Sequence, residues 1–135
     1  MPLPTVGFLQ KIQDTNLSNM DIESIRQYCL QKRFVTEEFP FDDVTLVFKV
    51  VGKMFACLPL NKPDILVLKC DAEYAIELRD RYSAIEPAWH FNKKYWNQHL
   101  VSALDDKLIC GLIDHSYDEV VKKFSRKQRS KLNLL

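Results

Sequence analysis

Residues 45–58 contain two apolar runs joined by a turn, and an antiparallel hairpin is the structure that accommodates them. Leu46, Phe48 and Val50 alternate with Thr45, Val47 and Lys49, the two-residue period of a strand. Gly52-Lys53 follows, and glycine at the first central position suits a type II′ turn. The chain then returns through Met54–Leu58. A hairpin in this position commits the domain to at least a partly antiparallel sheet.

The flanking segments supply the other layer. Asp21 is an N-cap for a helix running to about Lys32, with Ile22, Ile25 and Cys29 on one face and Tyr28 beside them. The turn residues of Asn61-Lys62-Pro63-Asp64 mark a loop, and Ile65–Lys69 reads as a short strand buried on both sides. Asp71 caps a second helix that ends near Tyr82, with Ala72, Ala75, Ile76 and Leu78 packing inward. Pro87 bars a helix, so Ala88–Phe91 is expected to be extended, with Asn92-Lys93-Lys94 at the tip or shoulder of a hairpin and Tyr95–Val101 returning. Asp105 and Asp106 open a third helix, favourable at the positive end of its dipole. Leu108, Leu112, His115 or Ser116, and Val120 trace its buried face, which Phe124 continues. The sum is an α+β two-layer sandwich, an antiparallel sheet with helices on one face, in the order helix, three or four strands, helix, two strands, helix.

At 135 residues the chain is one domain by length, and its apolar content is that of a packed one. No run approaches the roughly 18 apolar residues of a membrane span, and residues 1–19 carry no secretory pattern, which leaves the cytoplasm as the expected compartment. Cys29, Cys57, Cys70 and Cys110 are scattered among apolar neighbours and are expected to be reduced, packed thiols. His90, His99 and His115 lack the spacing of metal ligands, and no cofactor is expected. Charge is unevenly spread. Up to Val121 there are 13 basic and 18 acidic residues, whereas from Lys122 onward six bases (Lys122, Lys123, Arg126, Lys127, Arg129, Lys131) meet no acid. An anionic body excludes a generic nucleic-acid binder with charge over a whole face, so any polyanion site must be local.

The local candidate is His90-Phe91-Asn92-Lys93-Lys94-Tyr95-Trp96-Asn97. Lys93 and Lys94 suit phosphates, Asn92 or Asn97 a base edge, and Trp96 a stacking or wedging role. The competing reading makes Trp89, Phe91 and Trp96 core residues and leaves the lysines solvated at a turn. Lys53 in the turn, flanked by Lys49, makes a second candidate projection beside the plain alternative of a solubilised hairpin. The basic segment from Lys122 is a third, with Lys122, Lys123, Arg126, Lys127 and Arg129 as phosphate contacts; its alternative is a solvated helix end, where cations are favourable anyway. Asp114-His115-Ser116 is not a triad, because successive helical side chains diverge by about 100°. His115 and Ser116 belong instead at a helix–sheet interface. Glu37-Glu38 and Asp42-Asp43 are neighbours rather than convergent pairs, and the chain has no glycine-rich phosphate loop or nucleophile elbow.

Several of these pieces, in order, resemble the MmcQ/YjbR-like family of small bacterial proteins. They are Met20-Asp21-Ile22-Glu23, Tyr28-Cys29-Leu30, Glu38-Phe39-Pro40-Phe41, Thr45–Val50, Gly52-Lys53-Met54-Phe55 and Leu68-Lys69-Cys70-Asp71. His90, Asn92-Lys93, Trp96-Asn97 and Leu112–Asp118 are the more specific ones. Ala72 stands where the family often has proline. The resemblance covers residues 20–121, leaving 1–19 as an N-terminal extension, in which Val6, Phe8, Leu9 and Ile12 suit one short amphipathic turn, and 122–135 as a basic C-terminal tail. It implies a curved antiparallel sheet similar to that of secretion chaperones, and DNA binding through two hairpin projections, a double wing. The expectation is therefore a non-enzymatic DNA-binding protein contacting phosphates. The alternative is a chaperone-like adaptor holding an apolar partner segment, with a catalytic or small-molecule role third.

Overall fold

The hairpin forms around a different turn from the one its residue types suggest. The computed structural model describes residues 20–133. It comprises helix α1 (Ile22–Leu30), strands β1 (Val35–Glu38), β2 (Thr45–Val50), β3 (Lys53–Pro59) and β4 (Ile65–Lys69), helix α2 (Ala72–Arg81), strands β5 (Ile85–Pro87) and β6 (Trp96–Leu100), then α3 (Asp106–Val121) and α4 (Arg126–Asn133). Val50 pairs with Lys53, so Val51 and Gly52 form the turn, with φ of 47° and 79°. Two positive φ values define type I′ rather than the expected type II′, and they place a β-branched residue in left-handed backbone. Val51→Asn is expected to raise stability by about 0.5–1 kcal/mol, since asparagine tolerates that conformation and Val51 is only partly packed. A thermal melt checks this; an unchanged or lower midpoint would mean the strain is absent.

The six strands form one curved antiparallel sheet in the order β1-β2-β3-β4-β6-β5. The expected two-layer α+β architecture is what the chain adopts. Asp21, Asp71 and Asp105 each accept hydrogen bonds from main-chain N–H groups of the first turn of α1, α2 and α3, as N-caps do. The main core lies between sheet and helices. Leu46, Phe48, Val50, Leu66 and Leu68 meet Ile25 and Cys29 of α1, Ala75 and Leu78 of α2, and Ile109, Leu112, Ile113 and Val120 of α3. A bulge in the β2–β3 ladder leaves Phe55 without a cross-strand partner, so Phe55 and Ala56 both face the helices.

Buried polar groups fix the layers in register. The Ser116 hydroxyl donates to the Phe55 carbonyl at 2.5 Å and accepts from the Lys69 N–H at 2.9 Å. His115 Nε2 accepts from the Asp71 N–H at 3.1 Å, and its ring meets Tyr74 edge-on. These contacts tie α3 to β3, to β4 and to the start of α2, which is the interface expected for the pair.

Three expectations need correction. Ile76 is exposed on the outer side of α2, whose Ala75 and Leu78 are buried in the core with Tyr74 packed beside them. The extended segment ends at the proline instead of following it: β5 is Ile85–Pro87, paired with His99–Asn97, the Ala88 N–H still donates to the Trp96 carbonyl at 3.0 Å, and Trp89–Phe91 turn away from the sheet. The segment after Lys122 contains α4, whose Leu132 is buried with Phe124 in the main core. Arg33 donates to the Leu132 carbonyl at 3.2 Å, and Arg129 donates to the Lys122 carbonyl at 2.6 Å, so this segment is anchored to the domain. The expected amphipathic turn at Val6–Ile12 lies outside the described residues.

Candidate nucleic-acid interface

Antiparallel topology gathers cations that are far apart in sequence. The start of β3, the end of β4, the start of β6 and the C-terminal end of α3 all lie at one end of the sheet. They bring Lys53, Lys69, Lys94 and Lys123 together. Lys53, Lys69 and Lys123 line a recess of about 480 Å³ with Met54, Phe124 and Gln128. Lys94 and Lys123 both sit over the Tyr95 ring, 5.5 Å and 5.2 Å from its centroid. None of the four forms an ion pair with a carboxylate among the described residues. Glu119, whose charge acts on Lys69, is buried and is held by Lys122 at 2.6 Å.

The Lys69 ammonium reports the repulsion in this cluster. Its pKa is lowered first by partial burial, then by Lys123 and, after a smaller opposing effect of Glu119, by Lys53. A second anion would relieve that repulsion. Sequence reading missed Lys69 because it ends an apolar strand run. The available signal was a cation placed at the end of the Ile65–Leu68 run, where a strand leaves the core.

The β5–β6 connection supplies aromatic rings beside the cations. It folds back over the face of the sheet that carries no helix, where Val47, Cys57, Val67, Ala88 and Trp96 make a second, smaller core with Phe91 and Tyr95. Trp89 stays 56% exposed, with the Lys93 ammonium 4.4 Å from its ring centroid and its indole N–H donating to Glu86 at 3.2 Å. Between this connection and the one from β1 to β2, the open face holds a cavity of about 660 Å³. Trp89, Phe91 and Phe41 wall it, Cys57 and Val67 floor it, and Gln98 projects into it. Met54 lines both this cavity and the lysine recess, so the two lie on either side of one side chain.

Of the residues expected at a nucleic-acid surface, Lys53, Lys94 and Lys123 converge, and Lys93 stands beside them on Trp89. Asn92 is exposed but turns inward on its own loop, its Oδ1 accepting from the Lys94 N–H at 3.1 Å. Asn97 cannot reach a base: it is fully buried against α2, donating to the Ala75 carbonyl at 3.3 Å and accepting from Arg79 at 2.7 Å. Strand alternation turns Asn97 toward the helices and Trp96 toward the second core, where it stacks on Phe91 at 5.1 Å and is not free to wedge. Lys49 is paired with Glu38 at 3.0 Å across β1 and β2, and Lys122 with Glu119. Arg129 caps the end of α3, which leaves Arg126 and Lys127 as exposed cations of α4.

A single antiparallel sheet backed by helices, with a cationic end and an aromatic open face, defines a two-layer α+β domain. The YjbR family model matches residues 30–119, and the chain belongs to that family. It is 31% identical over 116 residues to protein YjbR of Escherichia coli strain K12, covering 84% of this chain and 98% of that protein. Protein YbdF of Escherichia coli O157:H7 is 27% identical over 112 residues, covering 82% and 92%. The crystal structure of Deinococcus radiodurans protein DR2400 superposes with a TM-score of 0.79 at 35% identity, covering 87% of this chain and 92% of that one. A Pseudomonas syringae protein gives 0.63 at 25% identity, covering 74% and 98%. No helix among the described residues is long and apolar enough to cross a membrane.

Proposed function

We propose that this protein is a non-enzymatic DNA-binding domain that holds nucleic acid by its phosphates at the cationic end of the sheet. The carrying observation is the convergence of four lysines from separate parts of the chain, Lys53, Lys69 and Lys123 on one recess and Lys94 beside Lys123 at Tyr95, none ion-paired to a carboxylate among the described residues. Folding gathers like charges at a cost, and an anionic ligand is what offsets it. The β2–β3 turn and the β5–β6 connection are the two projections that present Lys53 and Lys94, and α4 adds Arg126 and Lys127 at the flank. Since the rest of the surface is acidic on balance, contact is confined to this end and affinity is modest.

A second reading is that the open face receives an apolar segment of a partner protein. Its support is the apolar wall of the cavity; the lysine recess on the other side of Met54 favours the anionic ligand. The test is electrophoretic retardation of duplex and single-stranded DNA by the intact protein across a salt series. Four to six engaged cations give a log–log slope of about −4 to −5 on duplex DNA. No retardation at low salt would end the reading.

A further inference from the structure

The 660 Å³ cavity on the open face is not needed for phosphate contact, and its walls are of another chemical kind. Its size lies in the usual range for sites that enclose small organic groups, roughly 300–1,000 Å³. Trp89 and Phe41 are the two most exposed large apolar side chains of the described residues, at 56% and 66%, and both stand at this cavity. Two exposed rings facing one apolar recess suit a flat guest. Gln98 is half-buried at its wall, with no hydrogen bond to its side-chain amide among the described residues. That amide offers both donors and an acceptor to the edge of such a guest.

We infer that the cavity takes an unstacked nucleobase from a single strand whose phosphates lie on the neighbouring lysines. The ligand is then one molecule with two chemistries, matching two adjoining recesses that share Met54. Duplex DNA keeps its bases stacked inside and offers the cavity nothing, so the protein prefers unpaired strands. Base stacking on Trp89 and Phe41 is tolerant of sequence, because every base has a flat face. The Lys93 ammonium over the Trp89 ring places a cation where base joins phosphate. This inference rests on the phosphate-binding reading above and goes beyond it in naming the strand state and the base site.

Fluorescence anisotropy separates the two ideas, using the full-length protein with three labelled ligands: a 12-nucleotide thymidine strand, an abasic strand of equal length, and a duplex. The thymidine strand is expected to bind about tenfold tighter than the abasic strand, with Trp89 emission quenched on binding. Trp89→Ala and Phe41→Ala, both at exposed positions, are expected to remove most of that difference while leaving abasic binding unchanged. Equal affinity for the base-bearing and abasic strands overturns the base site and leaves phosphate binding standing. Binding of an apolar peptide in the cavity with no response to bases overturns it in favour of a protein partner. Failure of all three ligands to bind at low salt removes phosphate binding itself, and the base site with it.

Discussion

Reversing Lys53, Lys94 and Lys123 to glutamate together is expected to lower DNA affinity about a thousandfold at 50 mM salt. The magnitude follows from counterion release. Each phosphate contact contributes about −0.9 to the log–log slope, so between 1 M and 50 mM salt each is worth about 15-fold. Losing three removes about 2.7 from the slope and roughly three orders of magnitude from the affinity. The three side chains are exposed, one at the start of β3 and two in connections, so the fold survives their replacement. Lys49→Ala is the internal control. Lys49 is spent on Glu38 at 3.0 Å and lies outside the recess, so affinity is expected to change less than twofold. If the triple variant binds as the parent does while Lys49→Ala weakens binding, the phosphate site is elsewhere. The anchoring of Phe124 and Leu132 dictates substitution here. Deleting residues 122–135 would open the core as well as removing charge.

The same anchoring shows where sequence reading stops. The backbone layers were legible because each rests on local chemistry: aspartate caps at positions 21, 71 and 105, strand alternation in Thr45–Val50, and the placement of His115 and Ser116 between helix and sheet. The charge split was legible too, and so was the solvent exposure of Lys53, Lys94 and Lys123. What a linear pattern could not give was the direction of a side chain at a position where both faces of the sheet are covered. Trp96 and Asn97 are adjacent and both buried, one in each core. The period-two rule places them on opposite faces without saying that either face is closed. Lys69 was hidden because its partners, Lys53 and Lys123, are sixteen and fifty-four positions away. Helix α4 was read as a tail because two apolar anchors in a basic stretch are a weak signal. At the hairpin, glycine alone does not separate type I′ from type II′, and the left-handed Val51 defies its residue type. The cavity of the open face is a purely tertiary feature, made where the connections into β2 and β6 approach each other.

Stability is expected to fall by about 2 kcal/mol between pH 6.5 and 4.5, and His99 is the residue responsible. Its ring is fully buried on β6, and Nδ1 makes a 2.9 Å hydrogen bond to the Leu66 carbonyl, to which the neutral tautomer carrying its proton there donates. Burial penalises the imidazolium and pulls the pKa from 6.5 down to about 4, the carbonyl opposing that only in part. The unfolded chain therefore binds more protons between those limits. The stabilisation is complete above pH 6.5 and declines as pH falls toward 4, by about 1.4 kcal/mol per unit. Carboxylates held low by hydrogen bonds, Asp42 by Thr45 and Val44 and Glu37 by Arg26, lose their contribution only on further acidification. Urea unfolding at pH 7.5, 6.5, 5.5 and 4.5 measures the decline, and His99→Gln, which keeps an uncharged donor, is expected to flatten most of it. Parallel curves for parent and variant would assign the acid sensitivity elsewhere. His99 faces Leu66 across the β4–β6 ladder, and Gln98 is the next residue toward the cavity. The folded ring stays neutral down to about pH 4, so Gln98 and Lys69 keep their places while stability declines, and nucleic-acid binding is expected to be lost only as the folded fraction itself falls.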